Sequence, residues 1–268
     1  MSLENYNPFG KNIVSQAGKY KNFSLLFNKF PKFDGEKFIF YKKAETGRNP
    51  KSAFFLGENL VRGECKTFFD NVFVKKTQEN YYNQINSLGY QTQEFSKEPD
   101  WRMVIGLGGE SVYETGMTLH HIYGFPYIPA TAIKGIAHHY ATENKHKDID
   151  AIFGVDEKEA SDKQAKRGKI IFFDAFPTGE ITLSPDIMNN HYPDYYDGGK
   201  KPPADWQSPR PIFFLTVKKT SFKFVLGMKP KDQEQYPNLL AKAIKLLEEA
   251  LTKKGIGAKT AVGYGYMQ

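Results

Sequence analysis

Gly255-Ile-Gly-Ala-Lys-Thr-Ala-Val-Gly-Tyr-Gly-Tyr-Met-Gln268 is the stretch on which the reading of this chain turns. Gly255, Gly257, Gly263 and Gly265 bracket Lys259 and Thr260. Glycine tolerates positive φ and carries no Cβ, so a second backbone can approach it closely. A loop of bare N–H groups with one lysine suits a phosphate chain. The plainer alternative is a helix cap followed by an edge strand that tolerates glycine. Immediately upstream, Leu240, Ala243, Ile244, Leu247, Ala250 and Leu251 recur at helical spacing. Lys253 and Lys254 fall in the last turn of that helix, where cations suit the dipole, and Gly255 fits the position just past its end.

A second glycine and lysine element lies earlier. Trp101 to Gly108 reads as a strand from its β-branched and aromatic content. It enters a long loop with Gly106, Gly108, Gly109, Gly116 and Gly124, then Pro126 and Pro129. Long loops inside compact domains are usually functional. Thr131 is a suitable N-cap for a helix from Ala132 to about Thr142, which puts Lys134 in its first turn. A lysine there opposes the helix dipole; a bound phosphate would favour it, and a solvated lysine is the alternative.

Working outward, Ile170 to Phe173 is continuously apolar and reads as a central strand. A Pro-Thr-Gly turn and a second strand follow. A long loop rich in Tyr, Pro and Asp separates these from residues 211–228. That segment reads as a β-hairpin turning at Lys218 to Ser221, with Phe222, Phe224 and Leu226 alternating. A last strand is expected over Tyr264 to Met267. The resulting order is β–α–β–β, an interruption, β–β, then α–β. It matches an α+β, ferredoxin-like βαββαβ plan, shared with RRM modules, carrying an inserted β-hairpin and loop. Val262 to Met267 imitates an RRM signature but lacks its leading basic residue and following helix, so a standard RRM is rejected.

Residues 1–52 hold ten Lys/Arg against four Asp/Glu, interleaved with aromatics. Such interleaving suits single-stranded nucleic acid or packing on a neighbour. Phe23 to Phe30 allows one or two helical turns, and Phe38 to Lys43 a short strand. Glu58 to Leu88 reads as two helices stopped by Gly89. The expected organisation is an N-terminal extension with helices over 1–97 and a core domain over 98–268.

Net charge is +7, with a pI near 9.1, and the excess sits at the two ends. That distribution fits a polyanion held at chosen places. Cys65 is the single cysteine, which excludes an intramolecular disulfide framework and a cysteine metal cluster and points to a reducing compartment. No apolar run approaches the roughly 20 residues of a membrane span, and no apolar signal region follows Met1. A cytoplasmic location is expected.

Three stretches resemble a known family. They are Gly106 to Gly135, with its glycines, Leu-His and Pro-Tyr-Ile-Pro; Phe172 to Tyr196 with Pro203 to Val217; and Gly255 to Gly265. From about Trp101 to Gln268 the chain resembles the RAMP superfamily of type III CRISPR effectors. More narrowly, it resembles the family of sixth subunits of type III-B (Cmr) complexes.

The resemblance implies a non-catalytic RNA-binding subunit. It would hold the 3′ region of a guide RNA, and its duplex with complementary target RNA, by backbone contacts, and would dock onto other RAMP subunits. Implied RNA-binding residues are Gly106, Gly108, His120, Thr131, Lys134, Gly135, His138, Lys254, Gly255, Gly257, Lys259, Thr260, Gly263 and Gly265. Tyr192, Tyr195, Tyr196 and Trp206 suit a protein interface. No cofactor, metal, small-molecule substrate or membrane is implied. The chain departs from the family pattern at Ala130 and Thr131, where Pro-Gly-Ser/Thr-Ser is usual, and at His138, where an arginine often stands.

Two rival readings stay in view. Some RAMP relatives are metal-independent ribonucleases, and here His120 with Lys134 would carry such chemistry. A protein-only scaffold is the other. Asp174, Asp186, His191 and Asp194 are oxygen- and nitrogen-bearing, but their spacing matches no metal motif.

Overall fold

A computed structural model describes residues 22–29, 32–34, 37–39, 41–42, 53–56, 59–61, 65, 69–109, 111, 115–155, 166–190, 192, 202, 204 and 210–268. The chain weaves through two compact units. The first takes the described parts of Met1–Phe68, Gly106–Gly124 and Leu183–Thr216; the second takes those of Phe69–Ile105, Phe125–Thr182 and Val217–Gln268.

In the first unit, helix α1 (Phe23–Lys29) starts at Asn22, whose side-chain oxygen accepts from Leu25 N at 3.0 Å. Short strands follow: β1 (Lys32–Asp34) against β2 (Lys37–Ile39), then β3 (Tyr41–Lys42), β4 (Ala53–Leu56) and β5 (Asn59–Val61) in one antiparallel sheet. Cys65 and Leu183 exchange backbone bonds of 2.7 and 2.9 Å. Strands β11 (Thr182–Asn190) and β12 (Arg210–Lys218) pair with each other.

The second unit holds the principal sheet. Helix α2 (Asn71–Ser87) is capped by Asp70, whose carboxylate accepts from Val72 N and Phe73 N, and it stops at Gly89, φ 72°. Strand β6 (Gln91–Lys97) follows, then α3 (Ala130–Glu143), α4 (Ile149–Phe153), and the paired β7 (Gly154–Val155) and β8 (Lys166–Arg167). After these come β9 (Ile170–Phe172), β10 (Phe176–Pro177) and β13 (Phe222–Met228), with α5 (Pro230–Gln235) and α6 (Leu239–Lys253) closing the order. Strand β13 pairs antiparallel with β6 on one side and with β9 and β10 on the other.

Both faces of β13 are covered. Alternation sends Val225 to the face where it meets Tyr82 and Ile85 of α2. Phe222, Phe224, Leu226 and Met228 are buried on the opposite face. Helix α6 packs against α3, β6 and β13. It buries Leu240, Ala243, Leu247, Ala250 and Leu251 as its spacing predicts; Ile244 is half-buried, and Leu239 and Leu246 join the stripe. The RRM way of binding RNA, across an open sheet face, is therefore closed here by α2.

The α+β class stands, while several elements differ from expectation. The described residues of Glu58 to Leu88 hold the strand β5 and the helix α2 instead of the two helices expected. Asn59–Val61 finds β4 as a partner, and cross-strand pairing outweighs a weak local helix preference. The regular strand is β6, one step before the expected Trp101 to Gly108. Past it, isolated bridges join Pro99 to Met267 and Met103 to Val217, and Gly106 sits at φ 75°. Residues Ile170 to Phe173 do not form the central strand; β13 does. The apolar run reflects cover on both faces, which an outer strand can also have.

Residues 211–228 are not a hairpin. Met103 pairs antiparallel with Val217 and Lys97 pairs antiparallel with Phe222, so the chain does not reverse between Val217 and Phe222. Lys219, at φ 48°, interrupts the extended backbone between them. Tyr264 to Met267 is no regular strand either. Gly263 and Gly265 sit at φ 95° and 78°, outside the extended region. Strand-like bonds survive around them: Asp100 N to Tyr266 O at 2.8 Å, and the Glu98–Gln268 exchange at 3.2 and 2.9 Å. Finally, of the elements placed by sequence in the extension over 1–97, β6 pairs within this unit's sheet and α2 packs against it.

Candidate nucleic-acid interface

The face of α3 comes first. Thr131, Lys134, Gly135 and His138 are all exposed and stand at i, i+3, i+4 and i+7 of one helix. The opposite side, Ile133, Ala137, Tyr140 and Ala141, is buried. Lys134 has no ion-pair partner among the described residues. His138 packs edge-on against Phe153, with centroids 4.9 Å apart. Gly135 is unusual: its backbone is helical, and a Cβ there would meet nothing within 4 Å. Nothing among the described residues requires a glycine there, although one costs a helix interior about 1 kcal/mol relative to alanine.

The N-terminus of α3 differs from the sequence expectation. Pro129 is the N-cap, so Thr131 is a second-position residue and not the cap, and Lys134 falls in the second turn. The orphan amide of Ala130 donates to Asp174 Oδ1 at 2.6 Å. The helix thus carries its own anion at this amide, supplied from 44 residues away. Beneath Asp174, Tyr81 stacks on Phe176 at 4.4 Å, and its hydroxyl oxygen accepts from Asp174 N at 3.2 Å. Burial, with the Asp174 charge adding to it, pushes the Tyr81 pKa up to about 12. Burial raises Tyr82 as well, whose hydroxyl donates to Lys223 O at 2.7 Å and accepts from Phe176 N at 3.3 Å.

In the carboxy-terminal loop, most glycines are dictated by internal contacts. Gly255, φ 72°, lies against the Gly265 carbonyl and Tyr266 N; Gly257, φ 101°, against the Val104 carbonyl; Gly265, φ 78°, against the Ile256 carbonyl. These approaches accompany hydrogen bonds from Ile256 N to Gly265 O (2.8 Å), Ala258 N to Val104 O (2.7 Å) and Gly265 N to Arg102 O (2.7 Å). Gly263, φ 95°, opens onto free space. Lys259 itself adopts a left-handed backbone, φ 61°, before a short 3₁₀ turn over Thr260–Val262. The amides of Gly257, Thr260 and Ala261 have no partner among the described residues. The loop therefore offers three bare donors around Lys259, fewer than its four glycines imply.

Lys254 is engaged elsewhere. It reaches Glu143 of α3 at 2.6 Å, and that hydrogen bond holds the Glu143 carboxyl below its usual range. Lys253 donates to the Tyr140 hydroxyl at 2.9 Å, which in turn donates to Glu249 at 2.9 Å. That bond, and then the charge of Tyr140 and Glu249, raises Lys253. These contacts clamp the end of α6 to the end of α3.

Gly106, Gly108 and His120 belong to the other compact unit. Gly106 is required by Thr118, whose backbone N would lie 2.8 Å from a Cβ; Gly108 is unconstrained. The Gly109 and Gly116 amides are consumed within the loop, on Gly106 O and Leu107 O, at 3.1 Å each. His120 Nδ1 accepts from both Ile122 N and Tyr123 N at 3.3 Å, and its ring stacks on Tyr123 at 4.4 Å. Two donors on one nitrogen require its lone pair, so His120 here shapes a tight turn.

Of the aromatic residues assigned to a protein interface, Tyr192 is half-buried; Tyr195, Tyr196 and Trp206 lie outside the described residues. So do His191 and Asp194. No group of three or more metal-ligating side chains forms among the described residues. No helix there is long and apolar enough to cross a membrane. Sequence reasoning missed Asp174 as the partner of α3 and Glu143 as the partner of Lys254. No local signal marks either, because both pairs form only when distant segments meet.

The described antiparallel α+β frame and its carboxy-terminal loop fall within the span matched by the family model of the RAMP superfamily. That model matches residues 102–268, and the chain belongs to the superfamily. Within it, the chain is a member of the Cmr6 family. It is 32% identical to the CRISPR system Cmr subunit Cmr6 of Pyrococcus furiosus, over 94% of this chain and 96% of that one. It is 31% identical to the CRISPR system CMR subunit Cmr6 of Saccharolobus solfataricus, over 73% of this chain and 64% of that one. Among solved structures, a chain of the type III-B Cmr-beta complex bound to cognate target RNA superposes with a TM-score of 0.59 at 27% identity. That match covers 75% of this chain and 66% of the other.

Proposed function

We propose that this chain is a non-catalytic RNA-binding subunit of a type III-B CRISPR effector. It holds the 3′ region of the guide RNA, and its duplex with target RNA, by backbone contacts, and docks onto neighbouring RAMP subunits. The single observation that carries the reading is the exposed stripe Thr131–Lys134–Gly135–His138. A lysine with no ion-pair partner among the described residues stands beside a glycine whose Cβ position is open, so a ribose-phosphate strand can lie close against the helix. The bare amides around Lys259 supply the same chemistry at the carboxy-terminal loop. Lysine and amide donors recognise phosphates, while guide–target pairing carries the sequence information. Membership of the Cmr6 family supports the assignment to an RNA-guided complex.

The ribonuclease reading loses ground on one point. The lone pair of His120 Nδ1 is committed to two backbone amides, so that nitrogen is not available as a base.

The test is guide-RNA retention by the assembled complex across a salt series, with Lys134→Gln and Lys259→Gln combined. Retention should weaken for all guide sequences, and the salt slope should flatten by about one to two units. An unchanged slope would sink the proposal.

A further inference from the structure

Trp101 is 46% exposed, and the surface around it has a definite construction. Its ring lies 5.0 Å from that of Tyr264, which is buried, and the Arg102 guanidinium carbon stands 5.1 Å from its centroid. The backbone on either side is pinned: Asp100 N donates to Tyr266 O at 2.8 Å, and Arg102 O accepts from Gly265 N at 2.7 Å. The indole thus lies against Tyr264, at the end of the carboxy-terminal loop that carries Lys259 and the Gly257, Thr260 and Ala261 amides, which are bare among the described residues. Val262, in the same loop, is 63% exposed. A large aromatic left half open, packed on Tyr264 and beside the Arg102 guanidinium and phosphate-type donors, has the components of a single-strand stacking site.

We infer that Trp101, steadied by Tyr264 and Arg102, is a stacking platform for a nucleobase of the RNA strand whose phosphates the carboxy-terminal loop holds. The inference rests on the RNA-binding reading above and adds a contact to the base. Stacking accepts any base, so it adds affinity without adding a sequence code.

The test uses the assembled effector loaded with guide RNA carrying 4-thiouridine, a photoreactive base, with adducts mapped by mass spectrometry. An adduct on the Trp101 peptide is the expected result. Adducts on the Lys259 peptide with none on Trp101 would overturn the stacking platform while leaving the backbone reading intact. Adducts on neither would remove both. In parallel, Trp101→Leu, which keeps an apolar side chain against Tyr264, should lower guide retention roughly five- to hundredfold with the salt slope unchanged. Trp101→Phe should retain the RNA. Wild-type retention by Trp101→Leu would also overturn the inference, and should that variant unfold, the crosslinking of the unsubstituted chain decides.

Discussion

The carboxy-terminal loop and the exposed face of α3 use glycine for different reasons. In the loop, Gly255, Gly257 and Gly265 each hold a left-handed backbone, and each has another backbone where a Cβ would go. The fold itself requires them, whatever the loop binds. On α3, Gly135 has an ordinary helical backbone and empty space around it. Nothing among the described residues needs it, which is why the proposed reading gives it a contact outside the chain. A run of glycines in a sequence is thus weak evidence for a ligand, and one glycine without an internal cause is stronger.

The largest effect that could break this comparison is expected at Gly265→Ala. A Cβ at φ 78°, against the Ile256 carbonyl, combines left-handed strain with overpacking. Thermal unfolding should report a loss of about 2–5 kcal/mol. Wild-type stability would mean the loop glycines are there for a ligand after all.

Asp174→Asn is next. It replaces the carboxylate that serves the Ala130 amide, and should cost about 1 kcal/mol by the same measurement. Its RNA phenotype sharpens the comparison. If phosphate sits along the Lys134 stripe rather than at the tip of the helix, guide retention should be unchanged; tighter retention would show that Asp174 competes with RNA for the helix end.

The smallest effect, and the one of opposite sign, belongs to Gly135→Ala. Alanine should stabilise the protein by about 0.5–1 kcal/mol while weakening guide retention. Stabilisation with full retention would leave Gly135 without a role in RNA contact.

Much of the site was legible in sequence where the reading was local. Gly255 as a helix stop, the apolar stripe of α6 and the placing of Lys134 on a short helix all follow from spacing over one or two turns. Reading failed where partners lie far apart. The hairpin expected at Lys218 to Ser221 looked sound because charged and hydroxylated residues separate two apolar runs, but such residues suit a kink as well as a reversal. The cap assigned to Thr131 was chemically reasonable, yet a carboxylate from Asp174 took that work. Lys254 looked available for RNA until Glu143 met it.

Composition and periodicity determined which segments could be helices, which apolar faces had to be buried, and where a polyanion would find lysines and pliant backbone. These are properties of a residue and its near neighbours. Tertiary structure decided which glycines the fold consumes, which cations are already paired, and that α2 covers the sheet face an RRM would offer to RNA. Each of those depends on the close approach of groups beyond a helical turn or two, from Gly265 with Ile256 to Lys254 with Glu143, and short-range spacing carries no record of such meetings.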